Sequence, residues 1–246
     1  MVITLTEQLL REQPADLVVQ VCYSVCSPSS GAFFVSKAVD ESSEISPGKI
    51  NESGCSLQYV YTHPGLNSSR VWLPSIYSEE VMCSWEMEYI VAKNVIAVSS
   101  GDLKDRPQCL PDGKKRYNFV ESLPTSPRNI CFTVGPFEVL EDEIGFTGNV
   151  TVTHFCLPGN IKKLKATVPF LAGVSIYISS LLNCPFPFKS YKQVFLDETF
   201  TKVNVGASMA ILSSTVLHSP ETIEKTFKSR NLLSLSLAQQ WFGMYL

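Results

Sequence analysis

Histidine and positive charge are both scarce in this sequence of 246 residues. Three histidines occur, and 20 lysines and arginines are outnumbered by 23 aspartates and glutamates, which gives a formal net charge of −3. Domains that grip nucleic acid with their whole surface are usually strongly basic, so we expect any such contact to be local. His63, His154 and His218 are not spaced four residues apart, as two imidazoles sharing a metal ion on one helix would be. We therefore predict no metal and no cofactor.

Long uninterrupted apolar segments are also missing. Residues 1–20 carry four charged side chains (Glu7, Arg11, Glu12 and Asp16), so they lack the apolar centre of a signal peptide, and we do not expect secretion. Residues 166–182 are uncharged, but they are short for a membrane span and contain Pro169 and Gly173. We predict a buried helical segment there and no membrane association.

The eight cysteines are scattered rather than arranged in a dense framework. Cys22 and Cys26 are separated by three residues, and no second Cys or His pair lies nearby to complete a tetrahedral zinc site. We therefore interpret the cysteines as reduced thiols, most of them in the core.

The pattern from residue 71 to about residue 139 is that of short strands separated by turn residues. Residues 83–89 alternate apolar and polar side chains, which predicts a half-buried strand with Cys83, Trp85, Met87 and Tyr89 on one face. Antiparallel strands in one sandwich-like unit fit this pattern. Residues 36–56 show little periodicity and predict a long loop.

The character of the chain changes after Phe155. Residues 161–182 favour a helix that ends before Pro185, and residues 191–196 favour a strand. From residue 231 onward, apolar residues recur at every fourth position, which predicts a buried helix; they are Leu233, Leu237, Trp241 and Tyr245. The fold class predicted is α+β, with a β-rich domain at residues 1–155 and a second domain at residues 156–246.

Several motifs follow one another in the order found in the M1 metallo-aminopeptidases. Residues 237–243 (L-A-Q-Q-W-F-G) are similar to the end of that family's zinc helix, H-E-x-x-H followed by Q-W-F-G. Residues 72–74 (W-L-P), 134–138 (V-G-P-F-E) and 185–188 (P-F-P-F) resemble three further landmarks. The resemblance implies a β-sandwich-like N-terminal domain followed by the truncated start of a thermolysin-like α/β domain.

The residues that perform the chemistry of that family are replaced in this sequence. Zinc binding needs two imidazoles one helical turn apart and a carboxylate beside the first, but the matching positions hold Leu235, Ser236 and Gln239. The G-A-M-E-N loop of the family aligns with residues 207–211, where Ala210 stands in place of the amine-binding glutamate. By the same resemblance, the third zinc ligand and the catalytic tyrosine would lie beyond residue 246. We therefore predict a pseudo-aminopeptidase.

This set of replacements resembles the non-catalytic TFIID subunit 2 family, as do residues 152–158 (V-T-H-F-C-L-P) and 194–198 (V-F-L-D-E). The similarity covers roughly residues 58–246 and places residues 1–57 only weakly. It implies a fragment of a longer nuclear scaffold. Its partners would be other TFIID subunits and, within the assembled complex, promoter DNA, for which Lys114, Lys115 and Arg116 in a predicted turn are candidate phosphate contacts.

Two enzymatic alternatives stay open at this point. One is an M1-type zinc hydrolase with residual or altered activity that uses His154 or His218. The other is a serine hydrolase, because residues 206–210 (G-A-S-M-A) nearly fit the G-x-S-x-G motif around Ser208.

Overall fold

The computed structural model describes residues 18–26, 28, 30–38, 56–63, 69–75, 81–142, 146 and 149–245. These residues form three β-sheets and three α-helices, so the predicted α+β class is confirmed. The predicted loop at residues 36–56 lies mostly outside the described residues, although residues 36–38 and 56 belong to strands.

The first sheet has four antiparallel strands in the order β1-β2-β8-β4. Their bounds are β1 Ala32–Ala38, β2 Ser56–Thr62, β4 Ile96–Ser99 and β8 Phe132–Gly135. The second sheet has the order β3-β7-β5, with β6 paired beside β5 on β7. Its strands are β3 Cys83–Val91, β5 Asp102–Leu103, β6 Gln108–Cys109 and β7 Lys115–Thr125.

The motif at residues 72–74 follows a 3-10 turn, Ser69–Val71, and does not form a strand.

Strand β3 alternates along its length in the way that the sequence predicts. Trp85, Met87 and Tyr89 are half-buried, whereas Glu86 and Glu88 are exposed. Cys83, at the start of the strand, is exposed and departs from the pattern. The inner side chains pack against a small cluster that joins the two sheets, formed by Ala97, Tyr117 and Phe119. The two antiparallel sheets therefore contact each other through their apolar faces.

The third sheet is mixed, with strand order β12-β13-β11-β10-β9. Strands β10, β11 and β13 are parallel to one another, and β9 and β12 pair antiparallel at the two edges. The bounds are β9 Glu138–Glu141, β10 Thr151–Cys156, β11 Ser190–Leu196, β12 Val203–Gly206 and β13 Met209–Ser213. Strands from both sides of residue 156 share this sheet, and the division into two domains at that residue stays a prediction.

Both faces of the third sheet are covered. Phe155, Val194 and Met209 pack toward Tyr59 and Tyr61 of the first sheet. The opposite face packs against the helices in a larger cluster; its members include Val152, Tyr191, Phe195, Leu212, Leu237 and Trp241. Strands covered on both faces carry apolar side chains in both directions, as in parallel sheets generally.

The helical stretch after β10 is broken into α1, Ile161–Thr167, and α2, Leu171–Leu182. Pro169 stands at the break, where it lacks the N–H that a continuous helix would use. Residues 161–182 are long and apolar enough to cross a membrane by length and composition, and 33% of the relevant window is buried. The prediction of a buried segment is therefore wrong for the outer face of α2, where Tyr177 and Leu181 are 67% and 68% exposed.

The last helix, α3, spans Ile223–Ala238. It begins earlier than the periodicity predicts. It also ends earlier, because the chain enters a turn at Gln239. Leu233, Leu237 and Trp241 are fully buried as predicted, whereas Tyr245 is 47% exposed. The described cysteines are free, but only Cys131 and Cys156 lie in the core, so the expectation that most would do so is wrong.

Candidate functional site

The C-terminal end of α3 and the β12–β13 turn, two segments singled out in the sequence, meet in the structure. Ser208 adopts a left-handed backbone conformation, with φ of 57°. Its backbone N–H donates to Oε1 of Gln240 at 2.9 Å, and Nε2 of Gln240 donates to the Gly206 carbonyl at 3.1 Å. Gln240 is fully buried. One side-chain amide thus holds the helix end to the β-turn.

The three positions that align with the zinc motif do not share one environment. Leu235 is 53% exposed and Gln239 is also exposed, as expected for two positions one helical turn apart on the same face. Leu235 lines an apolar groove of about 640 Å³ between α2 and α3, beside Phe170 and Tyr177. Neither a leucine nor a neutral amide replaces imidazole as a zinc ligand.

Ser236 lies on the opposite, buried side of α3. Its Oγ donates to the Leu233 carbonyl at 2.8 Å, so the hydroxyl is used within the helix. Burial raises the pKa of the neighbouring Tyr191 to about 12, against the smaller effects of its hydrogen bonds to Ser236 and Gln193. Ser236 therefore takes part in a buried polar cluster rather than facing a cleft.

Ala210 is fully buried in β13, within the cluster beneath the helices. A methyl group offers no charge to a substrate amine. In the described part of the chain, no three His, Cys, Asp or Glu side chains converge in a way that could hold a metal ion. The aligned positions thus supply hydrocarbon, hydroxyl and amide groups but neither a strong metal ligand nor a carboxylate.

The aromatic residues after the helix have different roles. Trp241 is fully buried, its Nε1 donates to the Pro185 carbonyl at 3.0 Å, and its ring meets that of Phe186 edge-on at 5.1 Å. Phe242, the next residue, is 60% exposed. Of these two aromatic residues, only Trp241 packs in the core.

The residues of the two enzymatic alternatives lie in separate places. His154 is buried in β10, with Nε2 3.9 Å from Oδ2 of Asp142. The His218 backbone N–H donates to Oγ1 of Thr167, and its Nδ1 lies 3.1 Å from the Ser219 carbonyl. Ser208 is 1% exposed, and its Oγ accepts a hydrogen bond from the Gly101 N–H at 2.8 Å. The described contacts of Ser208 thus give its hydroxyl a structural partner and no histidine.

Of the candidate phosphate contacts, Lys114 follows the β6–β7 turn, but Lys115 and Arg116 belong to β7, so the prediction that all three lie in a turn is wrong. Nζ of Lys114 is 3.1 Å from a carboxylate oxygen of Asp112, and Nε of Arg116 is 3.5 Å from Glu88. Lys115 is half-buried at the start of β7. Two of the three positive charges are therefore paired with neighbouring carboxylates, and the exposed Lys114–Asp112 pair can open at little cost.

Sequence reasoning missed a buried lysine between the second and third sheets. Nζ of Lys192 donates to the Gly101 carbonyl and to Oγ of Ser190, which in turn donates to Oδ1 of Asp102 at 2.6 Å. Burial lowers the pKa of Lys192 from 10.5 to about 8, against the opposing effect of Asp102 and Glu121. Burial also raises the pKa of Glu121. A lysine next to a glutamine in an otherwise apolar strand was the available clue.

Taken with its α+β fold, the site consists of buried packing and hydrogen-bonded residues in which Gln240 joins the end of α3 to the β12–β13 turn. No protein-family model matches the chain. It is 35% identical over 228 residues to transcription initiation factor TFIID subunit 2 of Danio rerio, and 34% identical over 230 residues to the proteins of that name in Gallus gallus and Drosophila melanogaster.

These matches cover 93–94% of this chain and 18% of each relative, so the chain spans about a fifth of their length. Over nearly all of its length, the chain is homologous to a segment of TFIID subunit 2. The relatives are named as subunits of a transcription initiation factor and not as enzymes.

Proposed function

We propose that this chain is a non-catalytic scaffold segment of a TFIID subunit 2, which acts in transcription initiation by RNA polymerase II. Its partners are other TFIID subunits in the nucleus, and its contacts are those of a folded surface rather than of an active site. The similarity over nearly the whole chain to proteins named TFIID subunit 2 supports this role.

The observation that carries the non-catalytic part is the hydrogen bonding of Gln240. Its side chain binds both Ser208 and Gly206, so the segments aligned with the zinc helix and the amine-binding loop are fixed to each other. Ala210 and Ser236, which stand where the family has carboxylates, are both fully buried. A carboxylate at either place would be desolvated, which is costly without a partner. This packing supports a structural role for the old catalytic positions.

Promoter DNA is the second partner in this proposal, reached only within the assembled complex. A chain with a net charge of −3 lacks the electrostatic footprint of an independent DNA-binding domain. Lys114 is exposed in the loop between β6 and β7, where a phosphate backbone could reach it, and Lys115 and Arg116 follow as partly exposed residues of β7. Such contacts would add to an assembly that is held in place by protein interfaces.

The test is recovery of partners from nuclear extract with an affinity-tagged copy of the full chain, analysed by mass spectrometry. We expect TFIID subunits with the wild-type chain and none with Leu237→Asp, which places a charge in the core and serves as the misfolded control. Recovery of no TFIID subunit by soluble, folded wild-type chain would overturn the scaffold role. Stoichiometric zinc together with peptidase activity would overturn the non-catalytic one.

A further inference from the structure

A broad cleft runs along the outer edge of β1, the first strand of the first sheet. Its volume is about 1060 Å³, and its walls come from β1, from Tyr61 of β2 and from the loop of residues 197–202 that follows β11. Val25 and Pro28 close one side. The cleft lies apart from the Gln240 site, and none of the aligned aminopeptidase positions lines it.

The aromatic wall of the cleft is fixed before anything binds. The ring of Phe33 stacks on Tyr61 at 5.2 Å and on Phe200 at 5.9 Å. The loop that presents Phe200 is held by two tyrosine hydroxyls: the Phe200 N–H donates to Tyr61 at 2.9 Å, and the Glu198 N–H donates to Tyr59 at 2.8 Å. Nevertheless, Phe200 is 71% exposed. A large ring held in place but left in water is typical of a surface that binds an apolar side chain.

The floor of the cleft is a strand edge with hydrogen-bonding capacity left over. Strand β1 pairs with β2 on one side, and among the described residues no strand pairs with its other side. The His63 N–H donates to the Gly31 carbonyl, so in this antiparallel register the odd-numbered residues of β1 face β2. The backbone groups of Ala32, Phe34 and Ser36 consequently point outward. Such an edge accepts an extended peptide as an additional strand.

The charge of the cleft selects among extended peptides. Asp197 and Glu198 both line it, and among the described lining residues Lys202 is the only cation. Asp197 is oriented by the Ser214 hydroxyl, which donates to its Oδ1 at 2.7 Å, and Glu198 is exposed. Two carboxylates beside an aromatic wall favour a segment that carries lysine or arginine near an apolar side chain.

We infer that the β1 cleft binds an extended segment of a partner protein that carries both apolar and basic side chains on one face, at every second position, added as a strand to the edge of β1. Apolar side chains of that segment pack on Phe200 and Phe33, and its basic side chains reach Glu198 and Asp197. This inference rests on the proposed scaffold role, because it names the kind of segment such a scaffold would hold. Its test, unlike the test of the scaffold role, requires no other TFIID subunit.

The experiment begins with a library of random dodecapeptides panned on the purified full chain, followed by affinity measurements on the selected peptides by fluorescence anisotropy. We expect the selected peptides to carry apolar and basic residues at positions two apart, which is the spacing of one strand face. Ser36→Pro removes an outward N–H without breaking the pairing of β1 with β2 and should weaken binding at least about tenfold. Ser36→Ala keeps that N–H and should bind like the wild type.

Charge provides a second pair of variants that does not depend on the backbone. Glu198→Lys should weaken the selected peptides about tenfold, whereas Glu221→Lys, an equal charge change at an exposed residue outside the cleft, should leave their affinity unchanged. Bound peptide should also slow amide hydrogen exchange at Ala32, Phe34 and Ser36. Unfolding temperatures of all variants within a few degrees of the wild type serve as the folding control.

Equal affinity for the wild type, Ser36→Pro and Glu198→Lys would overturn the inference, as would a folded chain that selects no peptide. Self-association of the chain that Ser36→Pro abolishes would put a second copy in the cleft and would also overturn it. If TFIID subunits are recovered from nuclear extract while the peptide assay fails, the scaffold proposal stands and the β1 cleft is not its interface.

Discussion

The side chain of Gln240 accepts a hydrogen bond from the Ser208 N–H and donates one to the Gly206 carbonyl, so a single buried amide joins helix α3 to the β12–β13 turn. Ser208 has a positive φ, a conformation that costs free energy outside glycine. The two hydrogen bonds stabilise that conformation. They also make Gln240 more important for stability than its neighbour Gln239.

Replacement of Gln240 by alanine should therefore destabilise the chain. The substitution leaves the buried Ser208 N–H without its acceptor, at a cost of roughly 1–3 kcal/mol, and removes one hydrogen bond from the Gly206 carbonyl, so we expect a loss of about 2–4 kcal/mol in the free energy of unfolding. The measurement is equilibrium unfolding in urea. Gln239→Ala, at an exposed position, is the matched control and should change stability by less than about 0.5 kcal/mol. Equal losses at the two positions would contradict the hydrogen-bonding account.

The stability of the chain should depend on pH through Lys192. Because burial lowers its pKa to about 8 from 10.5, the unfolded chain binds the lysine proton more tightly than the folded one between these values. The contribution of Lys192 to the free energy of unfolding should therefore rise as pH rises from about 8 to 10.5. Below pH 8 the buried lysine is charged, and the destabilisation is present in full. The shift corresponds to an effect on the order of 3 kcal/mol.

The comparison that isolates this effect is wild type against Lys192→Met at several pH values. The thiols of Cys131 and Cys156, whose pKa burial raises to about 12, disfavour the folded state as pH rises above 9. The contribution of Cys156 is common to both proteins and cancels in the difference between them, whereas Lys192 lowers the pKa of Cys131, so that contribution cancels only in part. We expect that difference to move in favour of the wild type as pH rises from 8 to 10. A difference that is independent of pH would mean that Lys192 keeps its ordinary pKa in the folded chain.

Two glycines should respond to alanine with opposite signs. A Cβ at Gly206 would lie 2.3 Å from Sγ of Cys131 and 2.8 Å from the Asn129 carbonyl, so Gly206→Ala should cost about 1–3 kcal/mol or more. Gly173 is in the middle of α2 with nothing within 4 Å of a new Cβ, so Gly173→Ala should stabilise the helix by about 0.5–1 kcal/mol. Thermal unfolding of both variants checks this. A stable Gly206→Ala variant would show that β12 and the Cys131 segment are less closely packed than described.

The exposed face of α3 should accept a metal ion once ligands are supplied. Leu235 and Gln239 stand one helical turn apart on that face, so Leu235→His combined with Gln239→His would present two imidazoles to one Zn²⁺. We expect zinc to raise the unfolding temperature of the double variant only. The stabilisation is about 2.7 kcal/mol when free zinc is 100 times its Kd. The two single variants are the controls, and a shift as large in either one would mean that zinc binds elsewhere.

Local patterns predicted the elements whose environment is simple. The alternation of β3 was sufficient because one face of that strand packs on a sheet and the other lies in water. The fourfold periodicity after residue 231 identified Leu233, Leu237 and Trp241 as core residues but wrongly extended the helix to Tyr245. Trp241 is buried from a turn rather than from a helix, because its indole N–H reaches Pro185. The periodicity of α3 could not predict this contact, because Pro185 lies 56 residues earlier in the sequence.

Lys192 shows why the remainder could not be predicted. Alternation in a strand normally puts a lysine in water, but β11 has parallel neighbours on both sides and both of its faces are covered. The position of Lys192 depends on the Gly101–Asp102 segment, which is far away in the sequence. The Gln240 site is similar, since the partners of that side chain lie in a turn more than 30 residues earlier. Such contacts follow from topology, which single-sequence patterns do not contain.

The parallel pairing of β10 with β11 also means that β10 is synthesised well before the strand that lies next to it in the sheet. Once β10 has been synthesised, it can pair only with β9. The other edge of β10 has no partner until residues 157–189, the crossover, and then β11 have followed. At ribosomal speeds that interval lasts on the order of seconds. During it, the apolar face formed by Val152 and Cys156 has neither β11 nor the helices to cover it. Nascent chains arrested with β10, but not yet β11, outside the ribosome should therefore be the form most dependent on chaperones.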